Sequence, residues 1–218
     1  QGKVGFGYDV CPHHSFGAYY QYSEDKDKEN NHFVSDVFSN GTFYDSWNSS
    51  GTTQEEKRPG HEANIYYNGT FGKFSMNWNM DYVYSKDNKD QMQRELSQNY
   101  TDRTVITHNT SQSWLGAVKA ELSYRLSPSG TVSLGEEYTN TNRKNLFENI
   151  EGVFSDNNNK VQEKNSALFL QYSQKWNKIQ LNAGMRYEHV STVYTLNGKR
   201  QDDQSRKYDN LFPDLSVS

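Results

Sequence analysis

Between Lys73 and Ser85 the chain reads KFSMNWNMDYVYS, and apolar and polar side chains alternate with a period of two. Phe74, Met76, Trp78, Met80, Tyr82 and Tyr84 take one parity. Ser75, Asn77, Asn79, Asp81 and Ser85 take the other, broken only by Val83. Successive side chains of a β-strand point to opposite faces, so this stretch predicts a strand with one apolar and one wet face. From Phe74 to Tyr84 it is long enough to cross a membrane, which takes about 9–11 tilted residues. Two readings fit it: a half-buried strand of a soluble sheet, or a strand of a transmembrane barrel with lipid outside and water inside.

The pattern recurs along the chain. Val4, Phe6, Tyr8 and Val10 alternate with Gly5, Gly7 and Asp9, and Cys11-Pro12-His13-His14 makes a short turn. Phe16, Ala18, Tyr20 and Tyr22 mark the return strand. Further strands are expected at Ala63–Tyr67, after the turn 68–73, from Ser113 to Arg125, and after the turn 126–130. Another pair flanks Trp176-Asn177-Lys178, and a last strand starts at Leu211-Phe212-Pro213. Glu136 weakens the strand marked by Val132, Leu134 and Tyr138, because it falls on their face. Four polar regions separate these hairpins, at 23–61, 86–110, 140–164 and 190–210. In the first, Phe33–Trp47 can prolong the hairpin around Asn40-Gly41, and Asn197-Gly198 in the last is a strong hairpin signal.

Connections therefore run short, long, short, long. A soluble sandwich has no reason to gather all short turns at one end of the sheet and all long loops at the other, whereas outer-membrane barrels do so. Aromatic residues near strand ends (Phe16, Tyr22, Phe74, Tyr82, Tyr84, Tyr124, Trp176, Tyr187) suit an interfacial girdle, although Trp78 sits mid-strand. The expected fold is all-β: an antiparallel up-and-down meander of about eight to nine strands, forming part of a transmembrane β-barrel.

Composition agrees. Only 33% of residues are hydrophobic, mean hydropathy is -1.05, and yet aromatics reach 14% with 16 Tyr. Disordered chains are poor in aromatics, whereas a barrel with a wet lumen needs only one apolar face per strand. The net charge of -4 argues against a nucleic-acid partner. No run approaches a membrane helix, so any span is made of strands. The single Cys11 excludes an internal disulfide framework. The chain starts at Gln1 without Met and stops within an alternating run, so residues 1–218 are expected to be one barrel segment truncated at both ends.

Chemistry-bearing motifs are sparse. Cys11, His13 and His14 are metal-ligand types, but they share one short turn with no second pair nearby, which favours an exposed polar turn. Asp25, Asp27 and Glu29 have calcium-loop spacing without the turn glycine or the distal Glu. No catalytic, nucleotide or cofactor motif is present, so no cofactor is expected. Asn77, Asn79, Asp81, Lys119, Glu121, Arg186 and Glu188 fall on the wet parity and are the candidate lumen-facing residues. As charges on a wet face they pair across strands or stay hydrated; as a functional lining they meet a plug or a ligand.

Gly184-Met185-Arg186-Tyr187-Glu188-His189, followed by Tyr208-Asp209-Asn210-Leu211-Phe212-Pro213-Asp214-Leu215-Ser216, resembles the barrel domain of TonB-dependent outer-membrane receptors of Bacteroides-type bacteria. Gly60-His61-Glu62-Ala63-Asn64-Ile65-Tyr66-Tyr67-Asn68-Gly69 is similar to the same branch. The resemblance implies a 22-stranded barrel with an N-terminal plug, outer-membrane lipid around it, a nutrient as ligand, and energy from the TonB complex acting through the plug. Neither the plug nor the TonB-contacting segment is recognisable in these residues, so this chain would supply wall and loops and no chemistry. The alternatives are a non-transport barrel or sandwich acting as a binding or adhesin-type protein, and an outer-membrane hydrolase whose residues converge from separate strands.

Overall fold

A computed structural model describes residues 1–152 and 154–218, apart from the side chains of residues 56 and 57. Among these residues all regular structure is β: β1 Gly2–Cys11, β2 His14–Ser39, β3 Thr42–Phe71, β4 Phe74–Ser97, β5 Arg103–Ser127, β6 Gly130–Asn149, β7 Asn157–Trp176, β8 Ile179–Leu196, the two-residue β9 Lys199–Arg200, and β10 Arg206–Val217. They form one antiparallel sheet in the order β1-β2-β3-β4-β5-β6-β7-β8-β10, with β9 appended to β8. Sequence neighbours pair from β1 to β9, and β10 returns to pair with β8, as an up-and-down meander with one short appended strand. β1 and β10 are its two edges.

The turn chemistry is legible residue by residue. Asn40-Gly41 has φ of 49° and 80°, and Asn197-Gly198 has 49° and 78°. Two successive positive φ values define the hairpin turn whose twist matches the flanking strands, which is why Asn-Gly is selected there. The turns at 12–13, 72–73, 128–129 and 177–178 all close the opposite end of the sheet.

Strand length departs from the expectation. The polar regions expected as long loops are largely strand. β2 and β3 run through the first to a two-residue turn, and the connections at 98–102 and 150–156 are all that remain of the second and third. The ladder is made of backbone N–H and C=O groups and needs no apolar face, provided water or cross-strand partners serve the side chains. Such partners are present: Glu55 lies opposite Lys89 and pairs with it, and His108 opposite Asp90. Thr52 donates to Asn30 at 3.0 Å, and Thr110 to Asn88 at 3.1 Å.

Alternation is preserved through unbroken register from β4 to β10 in the region of the apolar pattern. One row of partners reads Ile65, Met80, Val118, Tyr138; the next reads Tyr67, Trp78, Ala120, Glu136, Leu168, Tyr187, Leu211. Ser75, Asn77, Asn79 and Asp81 therefore face opposite to Met76, Trp78 and Met80, as expected. Among the described residues nothing packs on the apolar face: Ile65, Leu122, Leu170 and Met185 are each about half exposed, at 49%, 47%, 52% and 51%. The buried apolar side chains among the described residues are Val105, Ala167 and Val190, all on the polar face. A soluble sandwich buries its apolar face against a second layer, and none of β1–β10 supplies one.

Candidate functional site

The polar face carries all seven candidate residues. Asn79 and Asp81 are joined by Asn64 of β3, whose amide donates to Asn79 Oδ1 at 2.8 Å and to Asp81 Oδ1 at 2.6 Å. Asn79 in turn donates to Asp81 Oδ2 at 2.6 Å. Nearby, Tyr19 donates its hydroxyl to Glu62 at 2.5 Å. Further along the sheet, the Arg186 guanidinium holds Glu188 of its own strand at 2.5 Å and Glu137 of β6 at 3.2 Å. Lys119 lies between the two networks in the register, opposite Asn79 of β4 and Glu137 of β6, and its ammonium stands 5.7 Å from the centre of the Phe169 ring. Glu121, opposite Asn77, accepts from Ser123 at 3.2 Å.

Two open recesses lie on this face. One, of about 420 Å³, is bordered by Lys119, Glu121, Phe169, Arg186, Phe212 and Asp214. The other, of about 260 Å³, is bordered by Tyr66, Asn68, Asn77, Asn79, Lys119 and Glu121. Sequence reasoning missed Asn64, Glu137 and Phe169. Their parity placed them on the wet face, but only the register shows that they meet the candidates.

At the short-turn end, Cys11, His13 and His14 border a recess with Asp9 and Asn68, and His14 Nδ1 lies 2.9 Å from the Tyr67 hydroxyl. Among the described residues no three His, Cys, Asp or Glu side chains stand together as metal ligands. Asp25, Asp27 and Glu29 lie within strand β2, with a register shift between the first two, and not in a loop.

At the other end a second polar centre forms around Asp45, whose side chain is fully buried. It accepts from Ser97 Oγ at 2.7 Å and from the backbone N–H groups of Gln98 at 2.9 Å and Ser46 at 2.8 Å. Burial alone raises a carboxyl pKa, but these hydrogen bonds outweigh it and hold Asp45 below its ordinary value. The neighbouring Tyr100 ring lies 6.0 Å from Trp47, and the Arg103 guanidinium lies 5.4 Å from the centre of the Trp47 ring.

The apolar band crosses the sheet obliquely. In β4 its last member is Tyr84, and Lys86 is the next residue on that face. The row of Lys86 passes through Gln112, Lys144 and Lys160 to Thr195 in β8. In β8, however, the band already ends at His189. At the short-turn end the row of Phe74 reaches Ala183, yet β8 stays apolar through Leu181 to Ile179. Both limits thus shift by about 13–20 Å along the strand over four strand spacings of about 4.8 Å. The band therefore cuts the strands at about 35–45° from the perpendicular, the tilt of strands in a membrane barrel.

Residues 70–218 match a family described as the outer membrane protein beta-barrel family. No curated protein matches the chain. Among solved structures, the unliganded ferric citrate transporter FecA aligns with 99% of this chain and 41% of its own, at 10% identity and a TM-score of 0.46. The ferric yersiniabactin uptake receptor FyuA of Yersinia pestis aligns with 99% and 40%, at 9% identity and 0.39. The outer membrane protease OmpT of Escherichia coli aligns with 98% and 80%, at 9% identity and 0.34. The chain thus spans about two fifths of the length of the two receptors.

Proposed function

Because the chain belongs to the outer membrane protein β-barrel family and so to the outer membrane of a Gram-negative bacterium, we propose that it forms part of the wall and extracellular extensions of a TonB-dependent receptor importing a nutrient. In this reading the apolar face meets lipid, and Asn77, Asn79, Asp81, Lys119, Glu121, Arg186 and Glu188 face the lumen. The two-residue turns at 12–13, 72–73, 128–129 and 177–178 lie on the periplasmic side.

The observation that carries the reading is the open, charged polar face. A closed barrel of about eight strands has an interior just wide enough to be filled by its own side chains. Here Lys119, Glu121 and Arg186 border unfilled space of about 420 Å³ at the depth of the apolar band. Charges at that depth call for water or a polar occupant, which a wide barrel provides. On the loop side, β2 continues from Tyr22 to Ser39, roughly 50 Å of strand beyond the band. Such extensions suit ligand capture, and the chain itself does no covalent chemistry. The TonB complex would act through a plug region, which none of β1–β10 supplies.

The test is nutrient uptake in the native host. Loss of this gene and loss of TonB are expected to abolish uptake of one and the same nutrient from a panel of iron chelates, peptides and oligosaccharides. Uptake that needs the gene but survives loss of TonB would overturn the reading.

A further inference from the structure

On the loop side of the apolar band, the polar face carries a further recess of about 260 Å³. Gln91, Gln93 and Glu95 of β4 border it, with Val105 and Thr107 of β5 and Phe147 of β6. The register puts all six on one face. Gln91 stands opposite Thr107 and Gln93 opposite Val105, and Thr107 in turn stands opposite Asn149, two residues past Phe147. Gln91 lies seven residues past Tyr84, roughly 24 Å of strand. Hydrogen bonds fix the rim. The buried Asn149 donates its Nδ2 to the Ile106 carbonyl oxygen at 3.1 Å and accepts the Phe154 N–H on Oδ1 at 2.9 Å. The Ile106 N–H donates to Glu151 at 2.6 Å. The connection after β6 is thereby tied back to β5, and the exposed Phe154 joins the border. On the other flank the buried Gln93 donates to Ser49 Oγ, and Glu95 pairs with Arg103.

The chemistry of this lining is selective. Two carboxamides and one carboxylate each present two hydrogen-bonding atoms on a planar group, and Thr107 adds a hydroxyl. Among the described residues no lysine or arginine borders the recess, and Arg103 beside it is held by Glu95. An anionic chelate would therefore meet a carboxylate with no free cation to offset it. A wholly apolar ligand would strip water from the amides without replacing their hydrogen bonds, which is costly. An extended peptide pairs best with an open strand edge, and β4, β5 and β6 are all interior strands. An uncharged ring with hydroxyls on its edge and C–H groups on its faces meets every condition. Neighbouring hydroxyls match the paired atoms of a carboxamide or carboxylate, and the C–H face rests on the negative face of an aromatic ring. The recess is smaller than the roughly 300–1,000 Å³ of a site that engulfs a whole ligand, so it holds one ring of a longer molecule.

We propose that this recess binds one ring of an uncharged oligosaccharide, with Gln91, Gln93 and Glu95 on its hydroxyls and Phe147 and Phe154 against its C–H faces. The inference rests on the reading of this chain as wall and extensions of an import receptor, and it names the class of nutrient. Trp47 and Tyr100, beyond the Glu95–Arg103 pair, extend the aromatic surface toward the next ring of the same ligand.

The experiment is titration calorimetry on the full-length protein in mild detergent. The probes are neutral oligosaccharides of glucose, galactose, mannose, xylose and fructose, with ferric citrate and an end-blocked hexapeptide beside them. At least one oligosaccharide is expected to bind, and the chelate and the peptide are not. Gln91→Ala and Thr107→Val should each weaken binding about fivefold, the size of one net hydrogen bond. Gln91 is exposed, so its loss leaves the sheet intact. Phe147→Ala should weaken binding at least as much and Phe147→Tyr should keep it. Met92→Gln, on the opposite face, should leave it unchanged. Binding of none of the oligosaccharides, or recess variants that bind like wild type, would overturn the proposal. Oligosaccharide binding with uptake that survives loss of TonB would sink the import reading and leave this site standing. TonB-dependent uptake of a chelate by a protein that binds no oligosaccharide would do the reverse.

Discussion

Asp45 and Gln98 are separated by 53 positions, yet the Asp45 carboxylate accepts the Gln98 backbone N–H at 2.9 Å. Ser97 and Ser46 donate to the same carboxylate, so one buried side chain fastens the end of β4 to the tip of the β2–β3 hairpin. The fastening depends on ionisation. Burial pushes the Asp45 pKa up, but hydrogen bonds to the charged form together outweigh it and hold the carboxyl below its ordinary value. For a lowered carboxyl pKa, the stabilisation is fully present above the unfolded value and is lost as pH falls through the folded one. Hydrogen exchange, corrected for intrinsic rates, should show residues 97–100 protected at neutral pH and released in acid below about pH 4. Asp45→Ala should release them at every pH. Protection that persists in Asp45→Ala would refute the fastening.

The sign of the opposite case can be checked at His108. Its partner Asp90, 2.5 Å away, raises its pKa above 6.5, against the effect of desolvation. The contribution of a raised imidazole pKa is complete below the unfolded value and disappears as pH rises through the folded one. Nuclear magnetic resonance titration of His108 should give a midpoint above that of an unfolded peptide, and Asp90→Asn should bring it back down.

The two faces predict opposite responses to charge. Met80→Lys places an ammonium on the apolar face within the band and should cost about 2–4 kcal/mol of folding into a bilayer. Asn77→Lys, three residues away on the polar face and opposite Glu121, should be tolerated. Folding titrations into phosphatidylcholine vesicles measure both. Equal costs would mean that the faces are assigned wrongly.

Glycines on the two faces separate in the same way. At Gly135 an added Cβ would meet the Phe169 ring at 2.1 Å and the Ala120 carbonyl oxygen at 2.8 Å. Gly135→Ala should therefore destabilise by about 1–3 kcal/mol through overpacking, and it should also move Lys119, which rests on that ring. At Gly116, on the apolar face, nothing lies within 4 Å, and Gly116→Ala should be neutral to slightly stabilising in the same unfolding measurement.

Arg186 joins two carboxylates from different strands. Arg186→Ala should cost about 1 kcal/mol, since the group is about a third exposed and water screens what remains. Arg186→Lys should recover only part of this, because a single ammonium does not reproduce the fork that reaches Glu137 and Glu188 together. Denaturant titration of both variants checks the order.

Where period-two alternation is strong, as from Phe74 to Tyr84 or from Ile179 to Tyr187, the strand, its two faces and the turn that ends it are all local. Steric alternation and turn dihedrals depend on neighbouring residues alone. Asn40-Gly41 and Asn197-Gly198 show this plainly, and so do the wet parities of Asn77, Asp81, Lys119 and Arg186. The polar stretches gave no such signal. Residues 86–97 became strand because the backbone of β5 pairs with them, and backbone pairing leaves no mark on side-chain polarity. Which charges meet is likewise a matter of register. Arg186 finds Glu137 from 49 positions away, and Asp45 finds Gln98, because the strands settle in one alignment that brings these groups together. The oblique course of the apolar band belongs to the same class. Each strand carries its own apolar segment in the amino-acid order, but the tilt exists only between strands, in the offset that their hydrogen bonds impose.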